Sequence, residues 1–155
     1  MIDLFCGEWA CVDERILEHL KLLNQYILYL RNLAETEEEG FALDFKIRGS
    51  AERFLQLAIE SCINIGNRIL SITQFQKPVQ TPETYGDIFA ELGKLGVIPH
   101  EFVPTMLQMV KFRNRLVHIY WEIDHRQLYT ILRERLGDME KFKDYVVDYL
   151  RQGEG

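Results

Sequence analysis

The chain has 155 residues, of which 47% are hydrophobic and 27% charged, values expected of one soluble globular domain and not of a disordered segment. A formal net charge of −6 argues against broad, sequence-independent nucleic-acid binding, which rests on neutralising phosphates, so any such contact has to be local. The three cysteines, Cys6, Cys11 and Cys62, have no metal-ligand spacing and are odd in number, and no apolar run is long enough to span a bilayer. These features disfavour a disulfide framework, a zinc site, export and membrane insertion, and the expected location is a reducing cytoplasm.

The first eleven residues are set apart as an N-terminal extension. From Asp13 onward Ile16, Leu20, Leu23, Ile27 and Leu30 recur at steps of four and three, the period of a helix with one buried stripe, and predict a first helix over about 13–35. The acidic run "ETEEEG", 35–40, reads as a solvated loop. A second helix is expected over about 43–74, carrying Phe54, Ala58, Cys62, Ile65, Ile69 and Ile72, although Gly49 and Gly66 weaken its continuity. The prolines of "QKPVQTPETYG" mark a loop, and Thr81, Pro82 and Thr84 supply a start for a short helix over about 82–94. Gly93 or Gly96 would end it. A fourth helix is expected from about His100–Phe102 to 119. A fifth follows from Asp124, a plausible N-cap, to Arg151, with Gly137 as its candidate interruption. The whole reads as an all-α, up-and-down bundle of four long helices plus one short helix, with a domain over 12–151 and a tail at 152–155.

The fourth helix carries the residues that packing alone does not explain. At about 100° per residue, Val103, Met106, Val110 and Val117 fall on one side, flanked by Leu107, Met109 and Leu116, and Arg113 lands among them. A guanidinium keeps its charge and is costly to bury alone, so Arg113 must meet a carboxylate, an oxygen-rich pocket or a ligand phosphate. Asn114 and His118, four residues apart, share a face at the border of the polar sector. Taken singly, these residues have ordinary explanations: a surface histidine, a cation at a helix C-terminus, an amide cap and core aromatics. Their combination within one and a half turns is less ordinary. On the second helix Arg53, Gln56, Glu60, Asn64 and Asn67 form a polar stripe, which is either a solvent face or a source of groups, Glu60 or Asn64, that pair with Arg113 or line a cleft.

"RNRLVHIY" fits the pattern R-x4-H-x-Y, as Arg113, His118 and Tyr120, and with "TPETYGDIFAELGKLGVIP" and "FRNRLVHIYWEID" the chain resembles the HepT-like toxins of the HEPN superfamily from about Val12 to Leu150. The resemblance implies a dimeric, metal-independent endoribonuclease without cofactors, in which Arg113 and His118 are the catalytic pair and Asn114 orients the histidine or the phosphate. It further implies an MntA-like nucleotidyltransferase antitoxin as partner, which attaches AMP to Tyr120, and an RNA substrate, either transfer or messenger RNA. The residue types suit this chemistry, since a histidine exchanges protons near neutral pH and an arginine holds charge that grows on a phosphate. On a regular helix Arg113 and His118 stand about 140° apart, so they do not easily grip one phosphate within one chain. A symmetric homodimer with its two fourth helices meeting around paired Arg113 and His118 would complete the site. Two other readings stay open: a non-catalytic module that binds a nucleotide or the transferase, and a structural dimerisation bundle.

Overall fold

The computed structural model describes residues 13–118 and 123–153, and within them every regular element is helical. Helix α1, Glu14–Leu33, starts at Asp13, whose carboxylate accepts from the backbone N–H groups of Arg15 and Ile16. The same carboxylate receives Arg68 at 2.7 Å, which ties the start of α1 to α3 and holds the Asp13 carboxyl below its ordinary value. The stripe Ile16, Leu20, Leu23, Ile27 and Leu30 is buried as its spacing requires. It packs on α3, Phe45–Thr73, in the most extensive helix pair of the molecule.

Between α1 and α3 the expected loop contains a short helix, α2, Glu38–Leu43. Glu38 and Glu39 sit in its first turn, where the exposed N–H groups favour negative charge, and Phe41 is fully buried with its ring 5.4 Å from that of Tyr129. Arg48 closes its end by donating to the carbonyls of Phe41 and Ala42. On α3 the buried stripe is Ala51, Leu55, Ala58, Cys62, Ile65 and Ile69. Phe54 and Ile72 flank it instead of lying in it, and Ile72 is partly exposed. Burial pushes the Cys62 thiol up, so it packs as a small apolar group.

Helix α4, Tyr85–Leu95, begins three residues after the expected point. Its N-cap is Thr84, not the Thr81–Pro82 pair: the Thr84 hydroxyl accepts from the Asp87 N–H, and the Asp87 carboxylate accepts from the N–H groups of Thr84 and Glu83. Gly96 ends it at φ 78°, a left-handed conformation that glycine adopts without a Cβ clash. The helix lies unusually close to its neighbours. A Cβ on Gly66 of α3 would come within 2.7 Å of Ile88, and one on Gly93 within 2.7 Å of Val103.

A 3-10 turn at His100–Phe102 leads into α5, Val103–His118. The expected fifth helix is two helices, α6, His125–Glu134, and α7, Leu136–Gln152. The break falls at Arg135, with φ −113° and ψ −3°, while Gly137 lies inside α7. The spacing gives the reason. Leu128, Leu132 and Leu136 advance by four, so their stripe drifts about 40° per step around a straight helix, and the turn at Arg135 lets all three reach the core. The four long helices and one short helix expected are therefore seven α-helices among the described residues. Phe89 of α4 and Phe142 of α7 meet edge to face at the centre, with ring centroids 5.7 Å apart. No helix among the described residues is long and apolar enough to cross a membrane.

Candidate functional site

Helix α5 is anchored by Met106, Met109, Val110, Phe112 and Leu116, all buried. Arg113 projects from the middle of that sector toward α3, and its side chain keeps only 15% of its exposure. There it meets Glu60: Nη2 lies 2.9 Å and Nε 3.2 Å from the same carboxylate oxygen. Of the partners that burial of an arginine demanded, the structure supplies a carboxylate. Gln56, one turn back on α3, donates to that oxygen at 3.0 Å. Burial by itself would raise the Glu60 pKa, but the hydrogen bonds from Gln56 and Arg113, with the charges of Arg113 and Arg53, outweigh it and hold Glu60 below its ordinary value.

Two further contacts fix the guanidinium. Its Nη1 donates to the Asn114 side-chain oxygen at 3.2 Å, so Asn114 contacts Arg113. Its carbon stands 5.2 Å from the centroid of the Tyr85 ring, a cation–π distance. Tyr85 is the first residue of α4, set in place by the Thr84–Asp87 capping box, and is 44% exposed. Three helices thus converge on one guanidinium, with a carboxylate on one side and an open aromatic face on another.

The remaining candidates sit apart from this cluster. Asn64 is exposed, one turn along α3 from Glu60, and it is Glu60 and not Asn64 that bonds Arg113. His118 is the last residue of α5 and is exposed to solvent. The rise and turn of a helix separate it from Arg113 by about 140°, so a single chain presents the two groups to different directions. Tyr120 lies outside the described residues. Tyr85 is the contact that the sequence does not announce. It lies in the block "TYGDIF", but nothing in local spacing connects residue 85 with residue 113, because the contact depends on how α4 packs on α5. Among the described residues no group of three or more His, Cys, Asp and Glu is arranged to hold a metal ion.

The arrangement offers an immobilised cation suited to a phosphate, a polar neighbour, an aromatic surface suited to a base, and a solvent-facing imidazole on the same helix. Comparison with known proteins gives a consistent picture. Residues 16–146 match the family described as ribonuclease HepT-like. The tRNA nuclease HepT of Aphanizomenon flos-aquae is 28% identical over 131 residues, covering 84% of this chain and 86% of that protein. The mRNA nuclease HepT of Shewanella oneidensis is 29% identical over 106 residues, covering 68% of this chain and 77% of that protein. The fold is shared with a tri-AMPylated HEPN toxin of Shewanella oneidensis solved in complex with an MNT antitoxin, at a TM-score of 0.79 and 24% identity, over 88% of this chain and 99% of that one.

Proposed function

The chain belongs to the HepT-like ribonuclease family, and on that premise we propose that it is the endoribonuclease toxin of a toxin–antitoxin pair, acting on RNA without a metal through Arg113 and His118. The observation that carries the proposal is Arg113 itself: a guanidinium held by Glu60, Asn114 and Tyr85 at the edge of the core, with its direction fixed before any substrate arrives. Such preorganisation is what stabilisation of a developing phosphate charge requires.

In the proposed reaction His118 takes the proton from a ribose 2′-hydroxyl. The 2′-oxygen bonds to phosphorus, the bond from phosphorus to the 5′-oxygen breaks, and that oxygen leaves with the proton returned by the His118 imidazolium so formed. The products are a 2′,3′-cyclic phosphate and a 5′-hydroxyl. Because Arg113 and His118 diverge within one chain, the reading includes a homodimer in which Arg113 of one copy and His118 of the other serve one phosphate. Residues 12–151 form the functional domain in this reading. The decisive experiment incubates the purified chain with total RNA in the presence of a chelator and maps fragment ends. Cyclic-phosphate ends are the expected result, and cleavage that is absent or needs an added metal would remove the reading as stated.

The reading also assigns a nucleotidyltransferase of the MntA kind as the antitoxin and Tyr120 as the residue it modifies with AMP. Two Shewanella findings support this: a nuclease relative of this chain, and a fold relative AMPylated and bound to its antitoxin. Two positions after His118, an added adenylate would set bulk and a negative phosphate beside the histidine and compete with RNA for Arg113. Tyr120→Phe should therefore stay toxic while escaping neutralisation by the co-expressed transferase. Growth curves of induced cultures read both properties, and full rescue of the variant would count against Tyr120 as the modified residue.

A further inference from the structure

Beside α5, on a face that does not include Arg113, the molecule has a concavity of about 720 Å³ between α3, α5, α6 and the start of α7. That volume lies within the range of roughly 300–1,000 Å³ that small-molecule pockets occupy. Its floor is apolar, made by Leu55, Ile59, Met109, Phe112, Ile131 and Met139. Lys111, Arg115 and Arg135 stand at its rim. Two of these cations bridge elements across the mouth: Arg115 donates to Gln127 at 3.2 Å, and Arg135 donates to Gln108 at 3.0 Å. Asp138 is engaged with Arg135 at 3.7 Å, which leaves Glu134 as the other carboxylate of the lining.

Helical phase connects this cavity to the reaction. His118 is seven residues from Lys111 and three from Arg115, about 20° and 60° away around α5, whereas Arg113 is about 140° away. His118, Lys111, Arg115 and Gln108 therefore form one continuous polar arc that ends at the cavity. Charge is distributed in the same sense. Residues 105–135 contain six Lys and Arg against three Asp and Glu, while the rest of the chain contains twelve against twenty-one. Of those six, Lys111, Arg115 and Arg135 line the cavity, whereas Arg113 faces Glu60 and Arg133 donates to the Ala34 carbonyl, so three cations of an acidic protein stand where a local contact with a polyanion can form.

We propose that the cavity is a nucleobase subsite for single-stranded RNA, in which one unpaired base enters the apolar floor while the adjoining backbone runs along Lys111 and Arg115 toward His118. The inference rests on the ribonuclease reading and adds to it where the strand lies and why it must be unpaired. A base inside a duplex cannot reach such a floor, whereas a splayed base buries its faces and keeps its phosphates on the cationic rim. Glu134 is placed to accept from an exocyclic amino group, which favours adenine or cytosine over uracil.

The test uses the full chain carrying His118→Ala to block turnover, with short fluorescein-labelled oligoribonucleotides of mixed, oligo(A) and oligo(U) sequence, read by anisotropy. Thr130→Trp, on the exposed rim, narrows the mouth with little demand on packing, and Ile131→Trp fills the floor. Either should weaken binding of the mixed and oligo(A) probes by about ten-fold or more and erase the preference over oligo(U). Lys111→Ala should weaken all three alike and lower the salt slope by about one. If Thr130→Trp binds every probe as the parent does, the subsite is overturned. It is overturned equally if that variant loses only the transferase antitoxin, because the groove is then a protein interface. The two readings fail separately. Cleavage by the unmodified chain with unaltered binding by the rim variant sinks the subsite alone, whereas absent cleavage with rim-dependent binding sinks the ribonuclease alone.

Discussion

Replacing His118 with alanine is expected to lower RNA cleavage by about 10²–10⁴-fold, the usual contribution of a general acid–base group. Arg113→Ala should lower it by about 10²–10³-fold, as loss of a preorganised charge stabiliser does. The informative measurement mixes the two inactive proteins. If each site takes Arg113 from one copy and His118 from the other, random exchange makes half of the dimers mixed, and each mixed dimer keeps one intact site of two. Activity should then return to about a quarter of the wild-type level. A mixture that stays inactive after subunit exchange would remove the shared site, and single variants that keep full activity would remove the catalytic pair. Arg113→Lys should behave nearly as poorly as the alanine variant, because an ammonium keeps the charge but cannot reproduce the fork that Glu60 and Asn114 hold.

The second large effect is expected at Glu60, and it acts on stability and activity together. Glu60→Ala leaves a guanidinium at 15% exposure without its carboxylate, and Glu60 itself is 28% exposed, so solvent screens part of the loss. A cost of about 1–3 kcal/mol follows for unfolding in urea. Cleavage should fall by about 100-fold, since Arg113 then loses the contact that aims it. Glu60→Gln separates the two roles, because it keeps the shape and removes the charge. The pH dependence has a definite sign. Glu60 is held below its ordinary value, so the stability it contributes is fully present above the ordinary carboxylate value and is lost as the pH falls through the lowered one. The stability gap between wild type and Glu60→Gln should therefore be wide near neutral pH and should close in acid. A gap that persists in strong acid would show that the carboxylate charge is not what holds Arg113.

Legibility in the sequence differs from element to element. The stripe from Ile16 to Leu30 predicts α1 closely because one face is buried along its whole length. Arg113 is identifiable as a residue needing a partner, since an apolar sector with a guanidinium at its centre is unstable without one. Which of Glu60 and Asn64 provides it is not identifiable, because both lie on the same stripe and only the packing of α5 on α3 brings Glu60 within reach. Helix α2 is hidden by its acidic composition, and a single buried residue, Phe41, gives no period to detect. Residue type points to Gly137 for the break near the end, whereas the drift of Leu128, Leu132 and Leu136 places it at Arg135. Tyr85 has no local signal at all, being brought to Arg113 by contacts between helices distant in sequence.

The tight seat of α4 on Gly66 has a genetic consequence. Residue 66 lies within the apolar packing, and a Cβ there comes within 2.7 Å of the Ile88 side chain and 3.1 Å of that of Leu92, so a substitution presses on α4, the helix that begins with Tyr85 over Arg113. In a selection for cells that survive expression of the protein, substitutions at Gly66 would be recovered beside those at His118 and Arg113. Survivors that still accumulate folded protein would mark α4 as a lever on the proposed activity, whereas survivors that lose the protein would mark residue 66 as a packing position alone.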